Sequence, residues 1–245
     1  MAPTQNYTHD IANILSAIDK KTRIIFLVNP NNPTGTYLTE RELTDFLAVI
    51  PPNMVIVLDE AYYEYMDCPD YPKNSLQLLE KYSNLIITRT FSKIYGLAGL
   101  RIGYAVSHPD IAEKLNQVRL PFNINSIATA AAKAALLDQE HVKQSLLLNQ
   151  QGLKQLQQAF TALNIEMISS VGNFITINLK KEADVIYKQL LQENISVRPL
   201  SPYGLTTHLR VSVGTQEQNV RLIHAIEELD CLTNRSRIHR MQILT

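Results

Sequence analysis

Three short apolar runs lie in the first ninety positions of the chain, and each is followed at once by polar residues. The runs cover residues 22 to 28, 54 to 58 and 84 to 90. They are largely apolar and do not alternate, which is typical of parallel strands that are buried on both faces. Segments with helical spacing separate them. The pattern therefore predicts an α/β fold, with a three-layer large domain built on a mainly parallel sheet.

Several helices are predicted around these strands. Thr39 and Glu42 have the spacing of a capping box, and Pro51-Pro52 ends the helix that follows. Apolar residues at helical spacing predict further helices at 11 to 18, from Pro109 onwards, and from 126 towards 163 with a break near Asp138.

The pattern changes in the C-terminal half of the chain. Strands are predicted at 173 to 179, 195 to 199 and 208 to 213, with helices at 182 to 193 and after the Thr215–Gln218 capping box. This mixture predicts a smaller α+β domain. We place the partial large domain at residues 1–138, the small domain at 139–230 and a tail at 231–245.

Composition excludes several classes of partner. The 245 residues include 23 Lys and Arg and 23 Asp and Glu. The chain therefore has no net positive charge that would attract nucleic acid or an anionic membrane. The longest apolar runs are far too short to span a membrane, and a cytoplasmic protein is predicted. Cys68, Cys231 and the histidines lack the spacing of metal ligands, so no metal is predicted.

The segment from Thr90 to Arg101 carries the chemistry. Lys93 can form an imine with an aldehyde. Thr90, Ser92 and Arg101 can donate hydrogen bonds to a phosphate, the arginine in a two-pronged geometry. An aldehyde that carries a phosphate suggests pyridoxal 5'-phosphate as the cofactor.

Polar residues also follow the other two apolar runs. Asn32 comes after the first run and Asp59 after the second, as Lys93 comes after the third. Ligands of open α/β sheets bind beyond the carboxyl ends of the strands, so one crevice could receive all three. Tyr62, three residues after Asp59, could reach the same planar ring from a second side.

Four motifs, taken in order and spacing, closely resemble the fold-type I pyridoxal-phosphate-dependent aminotransferases. Among these, the histidinol-phosphate aminotransferases of histidine biosynthesis are most similar. The likeness covers about residues 8 to 230. The motifs lie at 31 to 35, 59 to 62, 90 to 101 and 209 to 214.

The resemblance implies a role for each candidate residue. Lys93 would bind the cofactor covalently and move a proton, and Asp59 would pair with the protonated pyridine nitrogen. Asn32 and Tyr62 would hydrogen-bond the phenolic oxygen of the ring. The phosphate would be held by Thr90, Ser92 and Arg101.

The resemblance also implies substrates and a partner. Arg210 would bind the anionic end of the substrate, which is the carboxylate of glutamate or the phosphate of histidinol phosphate. Arg198 lies where the family has a second substrate arginine. The amino group would pass between histidinol phosphate and 2-oxoglutarate, and the enzyme would be a homodimer.

Compared with the family, the chain is expected to lack the N-terminal third. An unpaired sheet edge and apolar faces would then be exposed, and we expect poor solubility without a partner that supplies the rest. Three alternatives stay open: a phosphothreonine decarboxylase of the same fold, an aminotransferase for other amino acids, and an inactive fragment of an aminotransferase.

Overall fold

The computed structural model describes residues 4 to 229. Its strands are β1 (Thr4–Gln5), β2 (Thr8–His9), β3 (Ile24–Val28), β4 (Val55–Asp59), β5 (Leu85–Thr90), β6 (Gly103–Ser107), β7 (Glu166–Ile168), β8 (Phe174–Asn178), β9 (Arg198–Leu200) and β10 (Leu205–Ser212). Its α-helices are α1 (Ile11–Ser16), α2 (Glu40–Val49), α3 (Leu78–Lys81), α4 (Pro109–Val118), α5 (Ser126–Leu137), α6 (Gln139–Ala162), α7 (Ala183–Gln192) and α8 (Gln216–Glu227). Short 3-10 helices lie at Tyr63–Tyr65, Ser75–Gln77, Ala98–Leu100 and Ser201–Tyr203.

The chain divides into two compact units. The first unit comprises the residues up to 32 and residues 36 to 146, and the second comprises residues 33 to 35 and the residues from 147 onwards. The domain boundary placed at residue 138 from the sequence stays a prediction. The predicted tail from 231 to 245 lies outside the described residues.

The first unit is built on a four-stranded sheet in the order β3-β4-β5-β6. β3, β4 and β5 are parallel, as predicted, and β6 joins β5 in the antiparallel direction. The three parallel strands begin or end within about two residues of the predicted runs. The apolar residues of these strands pack against α2 in the main core of this unit, which includes Leu27, Leu43, Phe46, Leu47, Ile56, Leu58 and Ile87.

β3 is the end strand of this sheet, and its two faces differ. Ile25 and Leu27 are buried, whereas the alternate residues Ile24 and Phe26 are 52% and 69% exposed. Side chains alternate between the two faces of a strand, so Ile24 and Phe26 expose apolar surface on one face of β3, while Val28 at the end of that face is half-buried.

The second unit is built on an antiparallel sheet in the order β7-β8-β10-β9. Its core joins this sheet to helices α6, α7 and α8, and includes Leu156, Phe160, Ile175, Ile177, Ile186, Leu190, Leu209, Val211, Leu222 and Ile226. The predicted α+β character of this part is confirmed. The strands predicted at 195 to 199 and 208 to 213 correspond to β9 and β10, whose observed bounds are Arg198–Leu200 and Leu205–Ser212.

The predicted helix boundaries rest on side-chain caps. Both predicted capping boxes are present, at Thr39 with Glu42 and at Thr215 with Gln218. The predicted break near Asp138 is also confirmed, since α5 ends at Leu137 and α6 begins one residue after Asp138. The carboxylate of Asp138 accepts a hydrogen bond from the backbone N–H of His141 at 3.1 Å, which caps the start of α6.

Candidate functional site

Asp59 lies at the carboxyl end of β4, between two parallel neighbours. Its Cα is paired with Val28 of β3 on one side and with Thr88 of β5 on the other. The side chain is half-buried, and its Oδ1 accepts a hydrogen bond from the backbone N–H of Ala61 at 3.0 Å. This bond fixes the orientation of a carboxylate at the sheet edge where ligands of such folds bind.

Lys93 follows β5 by three residues and lies beside Tyr62. Its Nζ is 5.2 Å from the centroid of the Tyr62 ring, and that ring is almost fully buried. The lysine and the phenol, which belong to different motifs of the sequence, are therefore neighbours in the first unit.

Two contacts hold the backbone at and just after Lys93. The N–H of Gly96 donates to the carbonyl of Lys93 at 3.0 Å, in a turn where Gly96 has φ of 71°. Nε2 of His141 lies 3.0 Å from the carbonyl oxygen of the next residue, Ile94. The lysine is thus carried by a fixed turn.

The hydroxyls and guanidinium predicted to bind phosphate lie around the same turn. The N–H of Ser92 donates to Oγ1 of Thr90 at 3.0 Å. Arg101 has a left-handed backbone conformation, and its NH1 donates to the carbonyl of Ala98 at 2.8 Å. The next residue, Ile102, accepts a backbone hydrogen bond from Phe91 at 3.2 Å, which brings Arg101 back beside Ser92 in the fold.

After Arg101 the chain pairs with the end of β5, and this close pairing depends on Gly103. A Cβ at this position would lie 2.8 Å from the carbonyl oxygen of Arg89 on the paired strand. Only glycine therefore allows β6 to start so close to the end of β5.

Asn32 lies in the turn that follows β3. The turn is closed by a 2.7 Å backbone hydrogen bond from Asn31 to Thr36, and Asn32 itself is exposed. Because β3 is next to β4, this turn emerges from the same sheet edge as Asp59. Six of the seven predicted cofactor residues thus lie at or just beyond the carboxyl ends of three neighbouring parallel strands. The seventh, Arg101, lies two residues before the antiparallel strand β6.

The two predicted substrate arginines belong to the second unit. Arg198 of β9 and Arg210 of β10 are directly opposite each other in the antiparallel register, so their side chains leave the same face of the sheet. The Arg210 guanidinium carbon is 4.9 Å from the centroid of the Phe174 ring, and that of Arg198 is 6.0 Å from the Tyr203 ring. Two cations placed opposite each other repel, which suits a site that binds an anion.

Sequence reasoning missed a buried ion pair close to Asp59. Arg89 donates from Nε to Oε2 of Glu60 at 2.9 Å, and its NH2 lies 2.8 Å from the same oxygen. The side chains of Arg89 and Glu60 are only 9% and 0% exposed. Arg89, a charged residue within the largely apolar run of β5, was the sequence signal that could have revealed this ion pair.

The two charges of this pair attract each other, but burial still raises the pKa of the Glu60 carboxyl above its usual value. Although burial disfavours the charged form of Arg89, the adjacent carboxylate of Glu60 raises the pKa of Arg89 above its usual value. The guanidinium also lies 3.5 Å from the centroid of the Tyr63 ring. A permanently charged arginine is therefore enclosed directly behind the candidate site.

Residues 4 to 229 show neither metal-binding nor membrane-spanning features. This part of the chain holds no group of His, Cys, Asp and Glu side chains arranged to bind a metal ion. None of its helices is both long enough and apolar enough to cross a bilayer.

This fold, with a carboxylate, a lysine and a phenol at one sheet edge, defines a class of protein. Residues 1–226 match the model of the family described as aminotransferase class I and II, and the chain belongs to that family. The described structure has the architecture of the fold-type I aminotransferases.

Particular relatives can be named. The chain is 52% identical over 225 residues to histidinol-phosphate aminotransferase 1 of Nitrosococcus oceani, with 92% of this chain and 60% of that relative covered. The chain thus spans about three fifths of the length of this curated relative.

Two solved structures are similar. One is the histidinol-phosphate aminotransferase of Sinorhizobium meliloti in complex with pyridoxal-5'-phosphate, with a TM-score of 0.84 and 29% identity over 94% of this chain and 62% of that chain. The other is the L-threonine-O-3-phosphate decarboxylase of Porphyromonas gingivalis, with a TM-score of 0.75 and 28% identity over 87% of this chain and 66% of that chain.

Proposed function

We propose that the chain acts in histidine biosynthesis as a pyridoxal-phosphate-dependent aminotransferase that uses histidinol phosphate and 2-oxoglutarate. The observation that carries the proposal is the position of Asp59 and Lys93 at the ends of adjacent parallel strands, with the Tyr62 ring beside the lysine. The identity of 52% to a histidinol-phosphate aminotransferase supports the choice of substrate.

The chemistry of the side chains fits this cofactor. Pyridoxal phosphate has a basic ring nitrogen, a phenolic oxygen, an aldehyde and a phosphate. The first unit offers a carboxylate for the nitrogen at Asp59, donors for the oxygen at Asn32 and Tyr62, and an amine for the aldehyde at Lys93. For the phosphate it offers the hydroxyls of Thr90 and Ser92 and the guanidinium of Arg101.

Each of these side chains has a defined task in the proposed reaction. When bound, the cofactor supplies a positively charged ring that accepts the electron pair left when the substrate loses its α-proton. Asp59 would hold the proton on the ring nitrogen, and Nζ of Lys93 would accept and return the substrate proton as a general base and acid. The almost fully buried Tyr62 ring would exclude water from one side of the lysine.

The opposed arginines of the second unit would bind the anionic groups of the substrates. Arg210 would form a two-pronged contact with the carboxylate of glutamate or the phosphate of histidinol phosphate. Arg198, on the same face of the sheet, would add a second positive charge. One site could thus accept two substrates that share an anionic end.

The experiment that tests the proposal uses the chain of residues 1 to 245 with pyridoxal phosphate. We expect a visible absorbance band that glutamate alone removes, and borohydride reduction that fixes the cofactor mass on the peptide carrying Lys93. A phosphothreonine decarboxylase is the second candidate, favoured by the similar structure from Porphyromonas gingivalis. It would carry the same label on Lys93, but glutamate would leave its band unchanged.

Absence of any label would instead favour the third candidate, a chain that is inactive by itself. The exposed apolar face of β3, formed by Ile24 and Phe26, is the observation that favours it. The proposal also includes a homodimer and a cytoplasmic location. Sedimentation of the labelled chain and fractionation of cells check these two parts separately.

Replacing Arg210 by alanine should raise the KM for glutamate by about ten- to a hundredfold, since a charge-assisted hydrogen bond contributes roughly 1.5 to 3 kcal/mol. Arg210→Lys should recover part of the loss, because lysine keeps the charge but not the two-pronged geometry. Arg221→Ala is the matched control, since Arg221 is exposed in α8 of the same unit. Steady-state kinetics that give an equal KM for Arg210→Ala and the wild type would contradict this role.

A further inference from the structure

The buried ion pair of Glu60 and Arg89 lies on the opposite side of the sheet from Asp59. Asp59 is paired with Thr88, and the next ladder bond runs from the N–H of Glu60 to the carbonyl of Thr88 at 2.9 Å. Successive side chains in a strand leave opposite faces. Asp59 and Thr88 therefore share one face, while Glu60 and Arg89 meet on the other, one residue further along each strand.

The ion pair connects the segments that carry the candidate site. Glu60 lies between Asp59 and Tyr62 in sequence, and Arg89 is four residues before Lys93. Beyond Glu60, the guanidinium of Arg89 donates to Oγ of Ser75 at 3.3 Å and lies over the Tyr63 ring. One side chain thus contacts the residue after β4, the 3-10 helix at Tyr63–Tyr65 and the 3-10 helix at Ser75–Gln77.

A second carboxylate of this segment interacts with the turn that follows Lys93. Burial together with the charge of Glu64 raises the pKa of Tyr95 to about 12, so the Tyr95 hydroxyl keeps its proton at neutral pH. Both interactions run from the segment of residues 60 to 64 to β5 or to the turn beyond it.

Stability alone does not explain why charges are buried here. Replacing a buried ion pair by well-packed apolar residues of similar size is often neutral or stabilising. The register of β4 on β5 is already held by the backbone ladder and by the buried side chains of Leu58 and Ile87. An ion pair differs from an apolar contact in being directional, because it sets the distance and orientation of the two strand ends.

We propose that the Glu60–Arg89 pair is a positioning element that fixes the spacing between Asp59 and Lys93 from behind the sheet. Its effect on the reaction rests on the proposed function. Neither residue touches the cofactor face, so both act through the residues next to them. Loss of the pair loosens the end of β5 and the turn that carries Lys93, while the rest of the core stays intact.

The test compares the wild type with the double variant Glu60→Leu/Arg89→Met, in which apolar side chains of similar size replace the charges. We expect a thermal midpoint close to that of the wild type. With pyridoxal phosphate and both substrates, kcat should fall by about ten- to a hundredfold, with little change in the KM for glutamate. Glu60→Gln, which keeps the shape and one hydrogen bond to Arg89, should lose less. It replaces the double variant if that variant does not fold.

A second measurement uses the chain without cofactor, so it does not depend on the proposed function. Acetic anhydride labels each lysine at a rate that mass spectrometry can follow, and Lys81 is the internal reference because it is exposed in α3. We expect the ratio of Lys93 to Lys81 labelling to rise about twofold or more in the double variant, because the turn opens more often.

The possible outcomes separate the two proposals. If the wild type takes no cofactor on Lys93, the proposed function fails, and the labelling ratio still decides the role of the pair. An unchanged ratio overturns the positioning role. A changed ratio with an unchanged kcat overturns it as well, since the spacing would then not matter for the reaction.

Discussion

Replacing Lys93 by alanine is expected to reduce kcat at least about a thousandfold, the largest effect of any single substitution in the chain. In the proposed reaction, the variant would lose the amine that binds the cofactor aldehyde and the general base and acid for the substrate α-proton. A thousandfold loss corresponds to about 4 kcal/mol in the activation free energy. Stopped-flow absorbance with glutamate alone measures the first half of the reaction directly.

Lys81 offers a matched control for this substitution. Its Nζ lies 5.2 Å from the centroid of the Tyr82 ring, the same distance that separates Lys93 from the Tyr62 ring. The two lysines therefore have similar aromatic neighbours, but Lys81 is remote from the strand ends that carry Asp59. Lys81→Ala should keep the wild-type rate. Equal rates for Lys93→Ala and the wild type would remove the chemical basis of the proposed function.

The parallel strands could be predicted because their environment leaves a direct mark on the sequence. A strand covered on both faces needs apolar side chains at every position, and β4 and the first half of β5 have such runs. β3 has an apolar run as well, although its Ile24 and Phe26 side chains are exposed, so the expectation of burial on both faces does not hold for β3 in the described structure. β6, from Gly103 to Ser107, has no such run, and it was missed. Its place depends on the close approach of Gly103 to the carbonyl of Arg89, which is a tertiary contact between two strands.

Gly35, the glycine of the 31 to 35 motif, likewise depends on tertiary contacts that the sequence does not predict. These contacts lie within the second unit. A Cβ on Gly35 would lie 2.0 Å from Oγ of Ser170, and the carbonyl of Gly35 accepts a hydrogen bond from Val171 at 3.0 Å. Thr176 also donates to the carbonyl of Pro33 across 143 positions. The sequence alone indicates a turn here, whereas the partners that require this glycine lie far along the chain.

The part of the candidate site that lies at the carboxyl ends of the parallel strands could be predicted from the sequence. Parallel strands end at one sheet edge, so the order of apolar runs and polar residues is enough to group Asn32, Asp59 and Lys93. The Glu60–Arg89 pair could not be found in this way. It depends on the register of β4 against β5, and a slip of one residue would turn the two charges to opposite faces.

The second large effect is expected at Asp59. Asp59→Asn should reduce kcat by about a hundred- to a thousandfold, and cofactor affinity should change much less. Asparagine has nearly the shape of aspartate and can hydrogen-bond the ring nitrogen, but it carries no negative charge to hold a proton there. Preorganised electrostatic interactions of this kind contribute on the order of a hundred- to a thousandfold to enzymatic rates.

The relation between rate and affinity distinguishes this role from a purely structural one. If Asp59 only stabilised the end of β4, Asp59→Asn would lower the melting temperature and weaken cofactor binding in step with kcat. Titration with pyridoxal phosphate, thermal melting and single-turnover kinetics on the same preparation separate the two cases. Asp45→Asn is the control, since Asp45 is exposed in α2 and pairs only weakly with Arg41 at 3.7 Å. A kcat for Asp59→Asn within about tenfold of the wild type would show that the ring nitrogen does not need this charge, because the electrostatic effect predicted here is larger.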